Sequence, residues 1–307
     1  MNFKALIELT RPLEWSKSFG NMSLAYLIVL FYVFGSVSEF NLFLFLLSFI
    51  AVGPLLWGGL YALNDWTDSK NDKLHSVKSF RPIPSGKVSE KNALIFSAIL
   101  IFLSLLIGFY FFIVLGNFLF LVCLLAMLLN QILYTVKPFH FKSRPVLDLI
   151  SGSVINPFFR FYAGWVLVLP FFNAPLLILL FVCGIQFAGF ALYRLSAKEL
   201  EKKLSFKSSI VVFGEKKLLF FSYLIGLIAV FSFILMTLTF RFFPELVFLG
   251  TLPSKFLWLV VLSSFFLPLY FGALILPKKM NIKKMYLLMY LHNIFFIAGF
   301  IFLFFIN

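Results

Sequence analysis

Long apolar runs, separated by short polar stretches, dominate the pattern along this chain. The runs are about 20 residues long, which is the length an α-helix needs to cross ~30 Å of hydrocarbon. They lack the strict alternation of membrane β-strands, and only helices and closed barrels satisfy their backbone groups in lipid. The pattern therefore predicts an all-α, polytopic membrane protein with about nine transmembrane helices. The predicted spans are 19–37, 42–63, 93–113, 117–135, 147–167, 176–192, 218–240, 256–275 and 285–305.

The composition agrees with this class, because 62% of the residues are hydrophobic, 12% are charged and the mean hydropathy is +1.02. Soluble domains are nearer ~25% charged. Long polar loops follow the second and sixth spans, and short basic loops follow the fourth and eighth. This spacing predicts two four-helix units plus one further helix, in one integral membrane domain over residues 1–307. The two cysteines, Cys123 and Cys183, lie in apolar runs and are interpreted as packing residues.

Basic residues predict how the chain is oriented in the cell membrane. The loops that share a side with the N-terminus hold 23 of the 26 lysines and arginines. This bias predicts a multi-pass protein with its N-terminus and its active site on the cytoplasmic side. It also accounts for the net charge of +14 and makes nucleic acid a poor partner. Basic loops at a membrane attract anionic lipid headgroups or a diphosphate instead. The segments concerned are 1–18, 64–92, 136–146, 193–217 and 276–284.

An acidic cluster follows the second predicted span. Asp65, Asp68 and Asp72 have the spacing i, i+3, i+7, which places three carboxylates on one face of a helix, with Asn64 beside them. Like charges so close repel one another, so the arrangement calls for a bound cation. Mg²⁺ suits an all-oxygen site and typically bridges to phosphate oxygens. A solvated acidic helix end is the alternative.

These residues resemble the UbiA superfamily of intramembrane prenyltransferases. Asn64-Asp65-x-x-Asp68-x-x-x-Asp72 is similar to its first aspartate motif, and Arg81-Pro82-x-x-x-Gly86 to its basic loop. Tyr134-Thr135-Val136-Lys137-Pro138 resembles the loop after the fourth span, and Arg11-Pro12 a common family start. The resemblance extends from about residue 8 to 217. It implies that Asn64 and the three aspartates hold Mg²⁺.

The resemblance also implies a reaction. A prenyl diphosphate would donate its prenyl group to a lipid-soluble acceptor, which is either an aromatic compound or a lipid. Asp65, Asp68 and Asp72 would act in catalysis through the metal, and Lys137 and Arg81 would add positive charge where the leaving group gains negative charge. The residues expected to bind substrate are Asn64, Tyr134, Lys78, Arg160, Arg194, Glu199 and Glu201.

The sequence departs from the family at the second aspartate motif. The segment Lys207–Gly214 is similar to the one that follows this motif in the family. Counting back from Gly214 places the motif's two positions on Ala197 and Glu201, with Glu199 between them. Glu199 and Glu201 could serve as metal or phosphate residues, or the segment could be a charged surface helix. Several lysines surround these positions. Arg160 precedes Ala163-Gly164, which is similar to relatives that move a phosphoribosyl group from phosphoribosyl diphosphate to a polyprenyl phosphate. That reaction is therefore an alternative. The candidates for its second anion site are Lys198, Lys202, Lys203 and Arg194, with Arg160 if the pocket extends that deep.

A function of another class also stays open. An arginine inside a predicted span, Arg160, would also suit a transporter or a non-catalytic lipid-binding protein. Transporter sites favour the middle of the membrane. Here the ionisable cluster lies at a membrane edge with metal-ligand spacing, which favours an enzyme.

Overall fold

The computed structural model describes residues 3–73, 78–242, 252–264 and 282–306, and within these ranges the chain is helical, with no strand. The all-α prediction is confirmed. Thirteen helices are named here in chain order. They are α1 Phe3–Leu9, α2 Trp15–Phe34, α3 Leu42–Ile50, α4 Gly58–Asp72, α5 Glu90–Leu115, α6 Phe118–Thr135, α7 Leu147–Ile150, α8 Asn156–Trp165, α9 Leu176–Arg194, α10 Lys198–Lys203, α11 Ser209–Phe242, α12 Leu257–Ser264 and α13 Ile282–Phe305.

Six helical stretches in the described residues are long and apolar enough to cross a membrane, and two shorter apolar helices cover 254–263 and 291–305. Helices that are apolar over such lengths make this an integral membrane protein. The count of nine spans stays a prediction, and the predicted span 256–275 lies partly outside the described residues. The six stretches are Phe3–Phe34, Leu42–Asp72, Glu90–Leu115, Phe118–Thr135, Leu176–Lys203 and Ser209–Leu238.

Two wide helical turns interrupt the predicted second and fifth spans. A π-helical segment, Ala51–Trp57, contains Pro54 and joins α3 to α4. A second π-helical segment, Ser151–Ile155, joins α7 to α8 just before Pro157. Proline lacks an N–H group and crowds the preceding turn, which accounts for a local change of winding at Pro54. The apolar pattern predicts each of these two spans as one continuous helix, whereas the structure divides each into two helices at the π-helical segment.

The chain forms two compact units. The first contains residues 1–33, 38–141 and 159–172, and the second contains 34–37, 142–158 and 173–307. Within the first unit, α5 exposes apolar side chains such as Ile99, Phe102 and Leu106, as expected of a helix that faces lipid. Within the second unit, α9 lies along α11, and Gly214 bends α11 with φ 76°. The single domain over 1–307 stays a prediction.

Gly164 fixes a close approach inside the first unit. A Cβ atom at this position would lie 2.4 Å from the carbonyl oxygen of Met22 on α2. We expect Gly164→Ala to destabilise the protein by about 1–3 kcal/mol, because backbone must move to admit the methyl group. The measurement is the apparent Tm in detergent. Gly226→Ala is the control, since its methyl would meet only Ala188 at 3.3 Å, and an equal Tm for both variants would contradict the packing.

Candidate active site

The acidic motif lies on the last turns of α4, in the first unit. A small apolar cluster, which includes Leu6, Leu9, Ala62, Ile83 and Val88, packs α1 and the loop after α4 against α4 and α5. Both α1 and this loop are therefore held beside the acidic face. The loop itself is closed by hydrogen bonds such as Val88 N to Pro82 O, 3.0 Å. The sequence thus places basic residues from two segments against one helix.

Two of the three carboxylates are buried and paired with arginine. Asp65 and Asp72 are each only 2% exposed. Arg81 Nη1 donates to Asp65 Oδ1 at 2.9 Å and to Asp72 Oδ2 at 2.8 Å. Arg11 also donates to Asp65 Oδ1. Buried carboxylates need such partners, because an unpaired buried charge is costly.

The edge of this face is more open. Lys78 Nζ lies 3.7 Å from Asp72 Oδ1, and Asp68 is only partly buried. The Asn64 side chain donates to Asp68 Oδ2 at 3.4 Å and accepts from Thr135 Oγ1 at 3.1 Å. The C-terminal turn of α6 is therefore tied to the acidic helix.

The donor set fits Mg²⁺. Asn64, Asp65, Asp68 and Asp72 offer only oxygen ligands from one helix, and Mg²⁺ prefers a few carboxylates together with water and phosphate. Within the described residues, however, the carboxylates do not converge as a ready three-ligand group. The reason is visible in the contacts, since the Arg81 guanidinium lies between Asp65 and Asp72.

The other predicted site residues of the first unit, Lys137, Tyr134 and Arg160, differ in how exposed they are. Lys137 is exposed, two residues beyond Thr135, and Tyr134 is partly buried. Arg160 on α8 is buried, and its guanidinium carbon lies 3.7 Å from the centroid of the Trp57 ring. This cation–π contact gives the buried charge a partner just before α4.

In the second unit, Arg194 and Glu201 belong to a buried polar network. Arg194 pairs with Asp148 at 3.1 Å and with Glu201 at 2.8 Å, and all three are at most 6% exposed. Ser208 donates to Glu201, and Ser209 donates to Asp148 from its hydroxyl and from its backbone N–H. Asp148 thus caps the N-terminus of α11.

Glu199 does not belong to this network. It is exposed, whereas Glu201, two positions later on α10, is buried. Residues two apart on a helix face different directions, which separates the two glutamates. The pair singled out from the sequence therefore does not form one acidic site in this structure.

Three participants in these contacts are not among the site residues predicted from the sequence. Arg11 and Thr135 belong to the family-like motifs described above, so the sequence contained evidence that pointed to them. Asp148 had a weaker signal, an acidic residue at the start of an apolar run. Its partners could not be read from the sequence, because Arg194 is 46 residues away along the chain.

The profile of the UbiA prenyltransferase family matches residues 23–297. The chain belongs to the UbiA prenyltransferase family. Protoheme IX farnesyltransferase of Bartonella bacilliformis is 51% identical over 55 residues, which are 18% of this chain and 17% of that relative's length. Because the match is so short, the activity of that whole enzyme does not transfer to this UbiA-family protein.

Solved structures share the fold of this UbiA-family protein. A UbiA homologue from Archaeoglobus fulgidus, bound to GPP and Mg²⁺, superposes with a TM-score of 0.70 at 19% identity, covering 96% of this chain and 97% of that one. Digeranylgeranylglyceryl phosphate synthase superposes with a TM-score of 0.61 at 23% identity and the same coverage. At these identities the likeness shows the fold.

Proposed function

We propose that this protein transfers a prenyl group from a prenyl diphosphate to a lipid-soluble acceptor, an aromatic compound or a lipid, with Mg²⁺. The carrying observation is the α4 face, which presents three carboxylates from one helix. Two of them, Asp65 and Asp72, pair with Arg11, Lys78 and Arg81. Membership of the UbiA prenyltransferase family supports the reaction class. The relative bound to GPP and Mg²⁺ supports the donor and the metal.

The chemistry assigns separate tasks to the acidic and basic residues. Asn64, Asp65, Asp68 and Asp72 would hold Mg²⁺, which supplies a positive charge that binds the diphosphate oxygens. In the reaction the allylic C–O bond breaks and its electron pair leaves with the diphosphate. Arg81, Lys78 and Lys137 then stabilise the negative charge that grows on the leaving group. The acceptor supplies the electron pair of the new bond and loses a proton.

Arg81 is expected to have two opposing effects. In the free protein it neutralises Asp65 and Asp72, so it competes with a metal ion for the same oxygens. We expect Arg81→Gln to bind Mn²⁺, a probe for Mg²⁺, about tenfold more tightly without diphosphate, because one competing charge is gone. The same variant should turn over prenyl diphosphate more slowly, because the leaving group loses a cation.

The measurement is a Mn²⁺ titration followed by electron paramagnetic resonance, beside an assay of diphosphate release. Lys87→Gln is the matched control, an exposed cation in the same loop. It should leave Mn²⁺ affinity unchanged. Weaker Mn²⁺ binding by Arg81→Gln, without diphosphate, would show that Arg81 does not compete with the metal.

Phosphoribosyl transfer remains the alternative reaction. It needs a second anion site for the 5-phosphate, and Arg194 was a candidate. In the structure, the charge of Arg194 is balanced by Asp148 and Glu201, and its side chain is buried. This arrangement favours the prenyl donor. A non-catalytic lipid-binding or transport role predicts neither Mg²⁺ dependence nor release of diphosphate.

We also propose that the active site faces the cytoplasm and that the N-terminus lies inside. In a variant whose Cys123 and Cys183 are replaced by serine, a cysteine at Ser89 should be shielded from an impermeant thiol reagent in intact cells. A cysteine at Ser254 should react. Both positions are exposed in the structure, so permeabilised cells should label both and provide the control. The reverse pattern in intact cells would refute the orientation.

A further inference from the structure

A cavity of about 530 Å³ lies in the second unit, and its lining includes none of the α4 residues assigned to prenyl transfer. Two chain segments line it, 143–147 before and within α7, and 205–207 after α10. The backbone N–H of Lys207 donates to the carbonyl of Ser143 at 3.1 Å, which joins the two segments. The volume falls within the range of ~300–1,000 Å³ that is typical of small-molecule sites.

Both segments hold a residue in an unusual backbone conformation. Val146 has φ 68° and Ser205 has φ 56°, although neither is glycine. A β-branched residue in this region is a genuine outlier, and such strain persists only where the surroundings impose it. Here the Val146 N–H donates to Ser209 Oγ at 2.8 Å, and Ser209 is held by Asp148. The buried network therefore fixes the shape of the cavity wall.

The cavity is positively charged. Arg144 and Lys207 line it and are exposed, and no acidic residue is among its lining in the described part of the chain. The acidic residues nearest in sequence, Asp148 and Glu201, are buried and paired with Arg194. Ser143 and Ser205 add hydroxyl groups to the lining.

Apolar surface adjoins these cations. Val146, Leu147 and Ile150, which lie just before and within the short helix α7, are 46%, 36% and 38% exposed. Cationic groups next to exposed apolar side chains suit a ligand with an anionic head and a hydrocarbon chain. Such a ligand can pair with the cations and also cover the apolar side chains. A soluble anion would leave the apolar side chains uncovered, and a neutral lipid would leave the cations unpaired.

We propose that this cavity binds the phosphate headgroup of an anionic membrane lipid. Arg144 and Lys207 pair with the phosphate, and the serine hydroxyls donate hydrogen bonds to it. The lipid chain lies along Val146, Leu147 and Ile150. None of the lining residues belongs to the α4 face, so binding of a lipid here can be measured without prenyl transfer.

Native mass spectrometry of protein released from nanodiscs of phosphatidylglycerol and phosphatidylcholine tests the proposal. We expect the wild type to retain phosphatidylglycerol preferentially. Arg144→Gln with Lys207→Gln should lower that preference about 30-fold, since each of the two basic residues near an anionic headgroup contributes on the order of 1 kcal/mol. Arg144→Lys with Lys207→Arg should keep it, because the charges remain.

Lys216→Gln with Lys217→Gln is the control, since it removes two exposed charges from α11 that do not line the cavity. An equal loss in this control would show that net charge alone attracts the lipid, and would overturn the site. Unchanged retention in the Arg144 and Lys207 double variant would do the same. Inorganic phosphate is the second arm. If it displaces the lipid at equal concentration, the site belongs to a soluble anion.

Discussion

Replacing Asp65, Asp68 or Asp72 by asparagine is expected to lower turnover of a prenyl diphosphate by about 100-fold or more in each variant. Each change removes a negative charge from the face that would hold the metal, and the diphosphate cannot approach the remaining carboxylates without it. Asp68 is the sharpest test, because it is partly exposed and outside the Arg81 pairs, so its replacement should leave folding intact.

The assay is release of diphosphate in lipid nanodiscs, with Mn²⁺ affinity as the second reading. Glu39→Gln is the matched control, an exposed carboxylate far along the chain from α4. It should retain wild-type rates. Wild-type turnover in all three aspartate variants would refute the assignment of this face as the active site.

Arg194→Met is expected to be the most destabilising single change in the second unit, at about 3–5 kcal/mol. The guanidinium pairs with Asp148 and Glu201, and its removal takes this positive charge away from two buried carboxylates. The measurement is the apparent Tm in detergent. Lys217→Met, at an exposed position on α11, is the control and should change little.

A second variant separates lost charge pairing from lost packing. Adding Glu201→Gln to Arg194→Met removes one of the uncompensated charges, so part of the lost stability should return. If the double variant melts at a lower temperature than Arg194→Met alone, the network is not held by charge balance.

Much of the first unit could be predicted from the sequence, because its signals are local. The spacing of Asp65, Asp68 and Asp72 places them on one helix whatever their partners are, and α4 confirms that placement. The apolar runs likewise predict the long helices, since crossing a membrane fixes both length and hydropathy. The family resemblance added the basic loop that contains Arg81.

The rest depends on contacts between distant segments. That Arg81 lies between Asp65 and Asp72 follows from the packing of its loop, which the motif does not encode. The pairing of Arg194 with Asp148 joins residues 46 positions apart. The separation of Glu199 from Glu201 could have been predicted from the sequence, because residues two positions apart do not lie on the same face of a helix. A nearby proline was the local feature in the sequence that indicated the π-helical turns, and proline alone does not specify a π-helix.

The central claim is tested most directly by incubating the protein in nanodiscs with labelled prenyl diphosphates of several chain lengths and, separately, with phosphoribosyl diphosphate. Membrane lipids and aromatic compounds serve as acceptors, and each mixture is run with Mg²⁺ and with excess EDTA. We expect Mg²⁺-dependent release of diphosphate from a prenyl donor, transfer of its label to an acceptor, and no reaction in EDTA. Consumption of phosphoribosyl diphosphate alone, or full prenyl transfer in EDTA, would contradict the account.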